Sequence, residues 1–131
     1  MRYMLDTNIC IYIMKAQPPA ALARLSSLNE GDAVMSVVTY AELCAGLELL
    51  VASRAQNQRA LQLLTQYIPV LPFDGAAAEQ FGVMRAAIRD RRRDALDRMI
   101  AAHAASLGLT IVTNNEADFN DYPGLQVENW V

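Results

Sequence analysis

Residues 3–8 read Tyr-Met-Leu-Asp-Thr-Asn, and this stretch decides the fold. Three apolar residues are followed at once by an acid, Asp6, and by two hydrogen-bonding residues, Thr7 and Asn8. A short apolar run of this kind predicts a strand that is buried on both faces of a parallel sheet. Ligands bind such sheets at the carboxyl ends of the strands, so Asp6 is a candidate functional residue. The alternative is structural, because Asp, Thr and Asn also begin helices and form turns.

Beyond this stretch, short apolar runs alternate with longer segments of helical periodicity. Further strands are predicted over 33–35, 68–72, 109–113 and 126–130. Helices are predicted over 9–15, from Pro18-Pro19 to Leu28, over 36–50, 53–66, 74–88 and 94–107. The two prolines of 68–72 assign that segment to a sheet edge. The pattern predicts an α/β fold in three α/β/α layers, with a central parallel sheet of four to five short strands in one domain over 1–131.

The composition is that of a globular chain with its own core. The 131 residues are 53% hydrophobic, with a mean hydropathy of +0.13. No apolar run approaches the roughly 18 residues that span a bilayer, and Asp6 and Asn8 interrupt the first run, unlike a signal peptide. We therefore expect a cytoplasmic protein without membrane contact. Cys10 and Cys44 lack metal-site spacing and are expected to be buried free thiols.

Basic residues are concentrated in one part of an acidic chain. The net charge is −3, which does not by itself suggest a nucleic-acid partner, yet six of the 11 basic residues lie between positions 85 and 98. Such a cluster can bind phosphate even in an acidic protein. The alternatives are a solvated helix face paired with neighbouring acids, and a docking surface for an acidic partner. The candidate phosphate contacts are Arg89, Arg92, Arg93 and Arg98.

Several acids fall at predicted strand ends or on inward helix faces. Asp6 ends the first strand, and Glu116 and Asp118 follow the fourth. Glu42 lies within the apolar segment Tyr-Ala-Glu-Leu. Asp97 begins a helical stripe on which burying a carboxylate is costly without compensating contacts. The other members of that stripe are small or apolar: Ile100, Ala101 and Ala104.

Converging acids require a cation. Two carboxylates about 5 Å apart repel by roughly 3 kcal/mol at an effective dielectric near 20. A hard divalent cation removes that repulsion and prefers oxygen ligands. The single histidine, His103, is expected to be a satisfied or exposed helix residue, so Mg²⁺ is the expected metal and Mn²⁺ its substitute. Such a site activates water for phosphodiester hydrolysis, whereas the alternative is a set of unrelated caps and surface acids.

Five motifs follow one another along the chain. They are Leu5-Asp-Thr-Asn8, Ser36-Val-Val-Thr-Tyr-Ala-Glu-Leu43, Asp97-Arg-Met-Ile-Ala-Ala-His-Ala104, Thr113-Asn-Asn115 and Pro123-Gly-Leu-Gln-Val-Glu-Asn-Trp130. Together they resemble the PIN-domain ribonucleases and, more narrowly, the VapC-type toxins of bacterial type II toxin–antitoxin pairs. The similarity covers nearly the whole chain and is loosest over 51–94.

The resemblance implies a fold, an activity and partners. It implies a PIN-like three-layer fold, a magnesium-dependent endoribonuclease, a homodimer and a cognate antitoxin protein. The substrate would be RNA, with transfer RNA as one candidate class. The catalytic acids would be Asp6, Glu42, Asp97 and Asp118, with Glu116 in reserve for the fourth. Asp6 and Asp97 would hold the metal, directly or through water.

Polar neighbours are expected to support these acids. The resemblance assigns Thr7, Ser36 and Asn115 to hydrogen bonds that orient the carboxylates. The arginines at 89, 92, 93 and 98 become candidate RNA contacts. A rival function is a PIN-fold binding module that acts mainly through an antitoxin complex on operator DNA.

Overall fold

The computed structural model describes residues 1–88 and 95–131. Within them, the strands are β1 Tyr3–Leu5, β2 Ala33–Ser36, β3 Val70–Leu71, β4 Thr110–Val112 and β5 Gln126–Glu128. The helices are α1 Thr7–Lys15, α2 Pro19–Ser26, α3 Val37–Leu49, α4 Arg54–Tyr67, α5 Gly75–Ala87 and α6 Ala95–Ser106. Short 3₁₀ turns occupy Val51–Ser53 and Glu116–Asp118.

The strands form one parallel sheet in the order β3-β2-β1-β4-β5. The predicted α/β class is confirmed, and β3 lies at an edge as its prolines predict. Strand β1 is central, with Leu5 paired to Val112 of β4. The chain adds strands on one side of β1 and then crosses to the other side. The carboxyl ends of β1 and β4 therefore meet at the position where such sheets bind ligands.

The sheet separates two apolar cores, which confirms the three-layer arrangement. Alternate residues of a strand point to opposite faces, so Leu5 joins one core and Met4 the other. The first core contains buried residues of α1, α2, α3 and α4. The second contains Met84 of α5 and, from α6, Ile100 together with three small residues, Ala101, Ala102 and Ala104. Small residues allow α6 to pack close to the sheet.

Most predicted helix signals are found where expected. Ser36 caps α3 and Asp74 caps α5 through side-chain hydrogen bonds to backbone amides. Gly108 follows α6 with a φ of +67°, a conformation that favours glycine. The helix predicted over 36–50 ends at Leu49, and the prediction that Leu49 faces the core is wrong, because its side chain is 81% exposed. The predicted helix start at position 94 lies outside the described residues.

The first strand also contacts the final turn of the chain. The Tyr3 ring packs edge-on against Trp130, with 5.3 Å between centroids. Arg24 of α2 lies over both rings and is 3.7 Å from Glu128. These contacts fasten α2 and β5 to the central strand.

Two expectations from composition have structural counterparts. Cys10 is a buried free thiol as predicted, whereas Cys44 is only partly buried. Among residues 1–88 and 95–131, we find no helix that is both long enough and apolar enough to span a membrane.

Candidate acidic active site

Asp6 lies directly after the central strand and is only 6% exposed. Its Oδ1 accepts a hydrogen bond of 3.0 Å from the Ile9 amide, so Asp6 is the N-cap of α1. Its own amide donates to the Val112 carbonyl at 2.9 Å. The structural alternative for Asp6 is thus confirmed, with Asp6 rather than Thr7 or Asn8 as the cap. The cap also fixes the carboxylate beside the end of β4, so the structural role and a functional role are compatible.

Thr113 is the residue that sequence reasoning missed. It is buried immediately after β4 and hydrogen-bonds to the Asp6 carboxylate, which must be the acceptor when ionised. Its hydroxyl oxygen accepts from the Asn115 amide at 3.0 Å. The position of Thr113 in the sequence could have indicated this contact. Thr113 follows β4 as Asp6 follows β1, and the two strands are paired.

The Asp6 carboxyl group is electrostatically frustrated. Burial raises its pKa above the ordinary value, and the neighbouring Glu42 carboxylate raises it further. Hydrogen bonds from Thr113 and the Ile9 amide oppose that shift without cancelling it. None of these three neighbours is cationic. The Glu42 carboxylate therefore disfavours the charge on Asp6, as it would in a site that is completed by a cation.

Glu42 is held beside Asp6 by Thr7. The Thr7 hydroxyl donates to Glu42 Oε1 at 2.6 Å and joins the first residue of α1 to the middle of α3. This is the kind of orienting contact expected of Thr7. Ser36 differs from the expectation, since its described contacts are with the Val38 amide and the His103 ring rather than with a carboxylate. Its hydroxyl is occupied in capping α3.

The loop after β4 connects a third acid to Asp6. The Asn115 side-chain amide donates to Asp118 Oδ2, as expected of an orienting residue. Because the Asn115 backbone amide also donates to Thr113, hydrogen bonds run from Asp118 through this loop to Asp6. Asp118 is partly buried and Glu116 is exposed. These contacts favour Asp118 over Glu116 as the fourth acid.

Asp97 occupies the first turn of α6. A helix that precedes a parallel strand runs back across the sheet, so the start of α6 lies at the carboxyl end of the strands. Asp97 is therefore at the same edge as Asp6, and its predicted stripe of Ile100, Ala101 and Ala104 is buried.

Of the four arginines predicted to contact phosphate, only Arg98 lies within the described residues. Arg89, Arg92 and Arg93 fall outside the described residues. Arg98 is only 5% exposed. Helix α6 carries most of its side chain into the molecule, and its contact with RNA stays a prediction.

The structure brings the predicted acids together only in part. Asp6 and Glu42 are neighbours, and Asp118 is linked to them through Asn115 and Thr113. Across residues 1–88 and 95–131, no three His, Cys, Asp or Glu side chains are close enough together to form a metal site. The groups at this edge are oxygen donors: carboxylates, hydroxyls and amides. They suit a hard cation rather than zinc.

The chain is similar to known proteins over its full length. The PIN domain family profile matches residues 3–125. The tRNA(fMet)-specific endonuclease VapC of Shigella flexneri is 39% identical, over 99% of this chain and 98% of that protein. VapBC2 from Rickettsia felis, solved with a promoter DNA fragment, superposes with a TM-score of 0.91, at 30% identity over 100% of both chains. DNA-bound VapBC from Salmonella typhimurium gives 0.90 at 35% identity, covering 100% of this chain and 99% of that one.

The fold and the acidic sheet edge define a class, namely α/β domains that assemble carboxylates at a topological switch point. The chain belongs to the PIN-domain family, in its VapC branch. Its function class is that of the VapC nucleases of toxin–antitoxin pairs.

Proposed function

We propose that this protein is a magnesium-dependent endoribonuclease and the toxic member of a toxin–antitoxin pair. One observation carries the proposal: Asp6, a buried carboxyl group with a raised pKa, faces a second carboxylate at the switch point of the sheet. Burying Asp6 beside a second carboxylate, the partly buried Glu42, is costly in a protein that only needs to fold. The unfavourable free energy of placing these two carboxylates together is explained if the site binds a cation and catalyses a reaction.

The residues present fit a divalent cation. Asp6 and Glu42 supply adjacent carboxylate oxygens, and the groups that act on Asp6 leave its charge without a positive partner. Asp6 and Asp97 would hold Mg²⁺, directly or through water, and Mn²⁺ would substitute. When bound, the metal lowers the pKa of a water molecule and stabilises the negative charge that develops on the phosphate.

The remaining residues prepare the site. Thr113 and the Ile9 amide hold the Asp6 carboxylate in one orientation. Thr7 fixes Glu42, which would orient the attacking water, and Asn115 fixes Asp118 at the rim. Because these donors are already in place, little reorganisation is required when substrate arrives.

The partners are also proposals. The Shigella flexneri relative is named for tRNA(fMet), so RNA, and transfer RNA in particular, is the substrate class to test first. Two similar structures are VapBC complexes bound to DNA. On that basis a cognate antitoxin would bind this chain, and the homodimer that the family resemblance implies stays a prediction. A binding module acting through the antitoxin complex on DNA remains the rival function.

Replacing Asp6 by Asn tests the activity. Asn keeps a side-chain oxygen that can accept from the Ile9 amide, so the cap of α1 survives while the charge is lost. We expect RNA cleavage in Mg²⁺ to fall by more than about 100-fold, and EDTA to abolish cleavage by the unmodified protein. Cleavage that persists in D6N or in EDTA would contradict the mechanism and favour the binding module.

Asp74→Asn is a matched control. Asp74 caps α5 through the same 3.0 Å contact to the amide three residues on, but it is exposed and lies after the edge strand. D74N should cleave RNA normally. Mg²⁺ or Mn²⁺ should raise the melting temperature of the unmodified protein and of D74N, but not of D6N, because the cation binds only the folded site.

A further inference from the structure

We infer that His103 and Ser36 form a positioning pair that holds α3, which carries Glu42, in register with α6, which carries Asp97. The inference rests on the proposed function, since it concerns how that acidic site is kept in shape. Neither residue contacts the acids in the described structure, so their effect would be transmitted through the helices.

The hydrogen bonds of the pair define a neutral histidine. Ser36 Oγ accepts from the Val38 amide at 3.1 Å and lies 2.8 Å from His103 Nδ1. The Ser36 proton needs an acceptor, and Nδ1 provides it. The ring proton is therefore assigned to Nε2, which donates to the Pro72 carbonyl, because proline has no N–H to offer. Each polar group of this buried set then has a partner.

His103 and Ser36 lie on the same helices, or at the start of the same helices, as two of the proposed catalytic acids. Ser36 is the last residue of β2 and is paired with Leu71 of β3, just before Pro72. His103 of α6 thus contacts the ends of two adjacent strands at the sheet edge where α3 begins. Asp97 lies six residues earlier on α6, or about 9 Å along the helix axis. Glu42 lies six residues after Ser36 on α3, about the same distance.

Helix α3 is therefore fastened at two points. Its N-terminus is joined to α6 through Ser36 and His103, and its middle is joined to α1 through Glu42 and Thr7. The two contacts fix how α3 slides and rotates relative to the helices on either side. Loss of the first contact would let the Asp97 helix shift relative to Asp6 and Glu42 without unfolding the domain.

Apolar packing alone does not specify this register. Three of the six buried residues of α6 are alanines, Ala101, Ala102 and Ala104, and their short side chains interlock little with neighbouring elements. A directional hydrogen bond of 2.8 Å permits only one axial position of the helix. The edge-on contact of Phe73 with the His103 ring, at 5.5 Å, restricts the ring in the same way.

The test compares His103→Leu with His103→Asn. Leu preserves bulk but gives Ser36 no acceptor, whereas the Asn side-chain oxygen can take the place of Nδ1. We expect the Mn²⁺ concentration needed to produce the same rise in melting temperature to increase about tenfold in H103L and to stay within about threefold in H103N. Cleavage at saturating RNA should follow the same order, with the KM for RNA little changed.

Ile100→Val and Ser36→Ala complete the design. I100V trims a buried residue on the same helix and lowers stability without touching the pair, so its Mn²⁺ requirement should be unchanged. S36A removes the hydroxyl without adding volume and should match H103L, which covers the case in which H103L fails to fold. Folded H103L or S36A with normal Mn²⁺ dependence would overturn the positioning role. An unmodified protein that shows no metal response and no cleavage would instead overturn the proposed function, and this inference with it.

Discussion

Two buried polar clusters lie at the ends of neighbouring strands and differ in character. The His103 cluster after β2 is neutral, and each of its donors meets an acceptor. The Asp6 cluster after β1 contains two adjacent carboxylates, of which one has a raised pKa. A cluster in which every polar group is hydrogen-bonded specifies how secondary-structure elements pack. A cluster that holds two like charges together is retained for its chemistry. Removing a charge from the Asp6 cluster should therefore lower activity without lowering stability, whereas removing a hydrogen-bond partner from either cluster should lower both.

Glu42→Gln should have the largest effect in the acidic cluster. The Gln oxygen can still accept from Thr7, so the geometry is kept while one of the two charges is removed. We expect RNA cleavage to fall by more than about 100-fold. The free energy of unfolding without metal should stay equal or increase, because the remaining carboxylate loses its repulsive neighbour.

Glu48→Gln on the same helix is the matched control for this change. Glu48 is exposed and pairs with Arg54 at 2.8 Å, a surface contact that contributes little to stability. Cleavage rates and urea unfolding should both remain near those of the unmodified protein. A fall in cleavage for E48Q comparable to that for E42Q would show that charge on α3 in general, rather than charge at Asp6, is responsible.

Thr113→Val should lower both activity and stability. Val has nearly the same shape but cannot donate to Asp6 or accept from the Asn115 amide. We expect cleavage to fall by about 10- to 100-fold, as is typical when a residue that orients a ligand side chain is lost. The unfolding free energy should drop by about 1–3 kcal/mol because buried polar groups lose their partners. Thr65→Val, which removes a helix hydroxyl bonded to the Leu61 carbonyl, should leave cleavage intact.

The pH dependence of stability should have opposite signs in the two clusters. Burial lowers the pKa of His103, against the opposing effects of the Asp74 carboxylate and the Pro72 carbonyl. The unfolded chain takes up that proton near pH 6.5, so stability should fall as the pH drops below that value. The raised pKa of Asp6 acts the other way, with stability present near pH 4 and lost as the pH rises through the folded-state pKa.

Urea unfolding between pH 4 and pH 8 separates these contributions. H103N should flatten the loss of stability on the acidic side, and D6N should flatten the loss towards neutral pH. If the free energy of unfolding of D6N instead falls more steeply towards neutral pH, the surroundings of Asp6 stabilise its ionised form. That result would contradict the distinction between the two clusters.

The smallest effects are expected in the loop after β4. Asp118→Asn should reduce cleavage several-fold, and Glu116→Gln should reduce it less, because Asp118 is the acid linked through Asn115 to Thr113. Both substitutions are near the surface and should change the unfolding free energy by no more than about 0.5 kcal/mol. A larger loss in E116Q would make Glu116 the fourth acid.

The fold was predictable because its signals are local. Apolar runs such as 3–5 and 109–113 alternate with helical segments, and caps such as Asp74 need only their immediate neighbours. Asp6 and Glu42 also stand out locally, as acids in apolar surroundings. The bonds from Thr113 to Asp6 and from His103 to Ser36 were not predictable in this way. They join residues that only the finished sheet brings together, through side-chain rotamers that no spacing encodes.

The central position of β1 has a consequence for the timing of synthesis. Tyr3 packs on Trp130, and Asp6 hydrogen-bonds to Thr113, so residues 3–6 acquire these neighbours only after residues 113–130 have been synthesised. Such non-local pairings also fold slowly. The acidic site that we propose for RNA cleavage would therefore be incomplete until the segment that contains Thr113 has been synthesised.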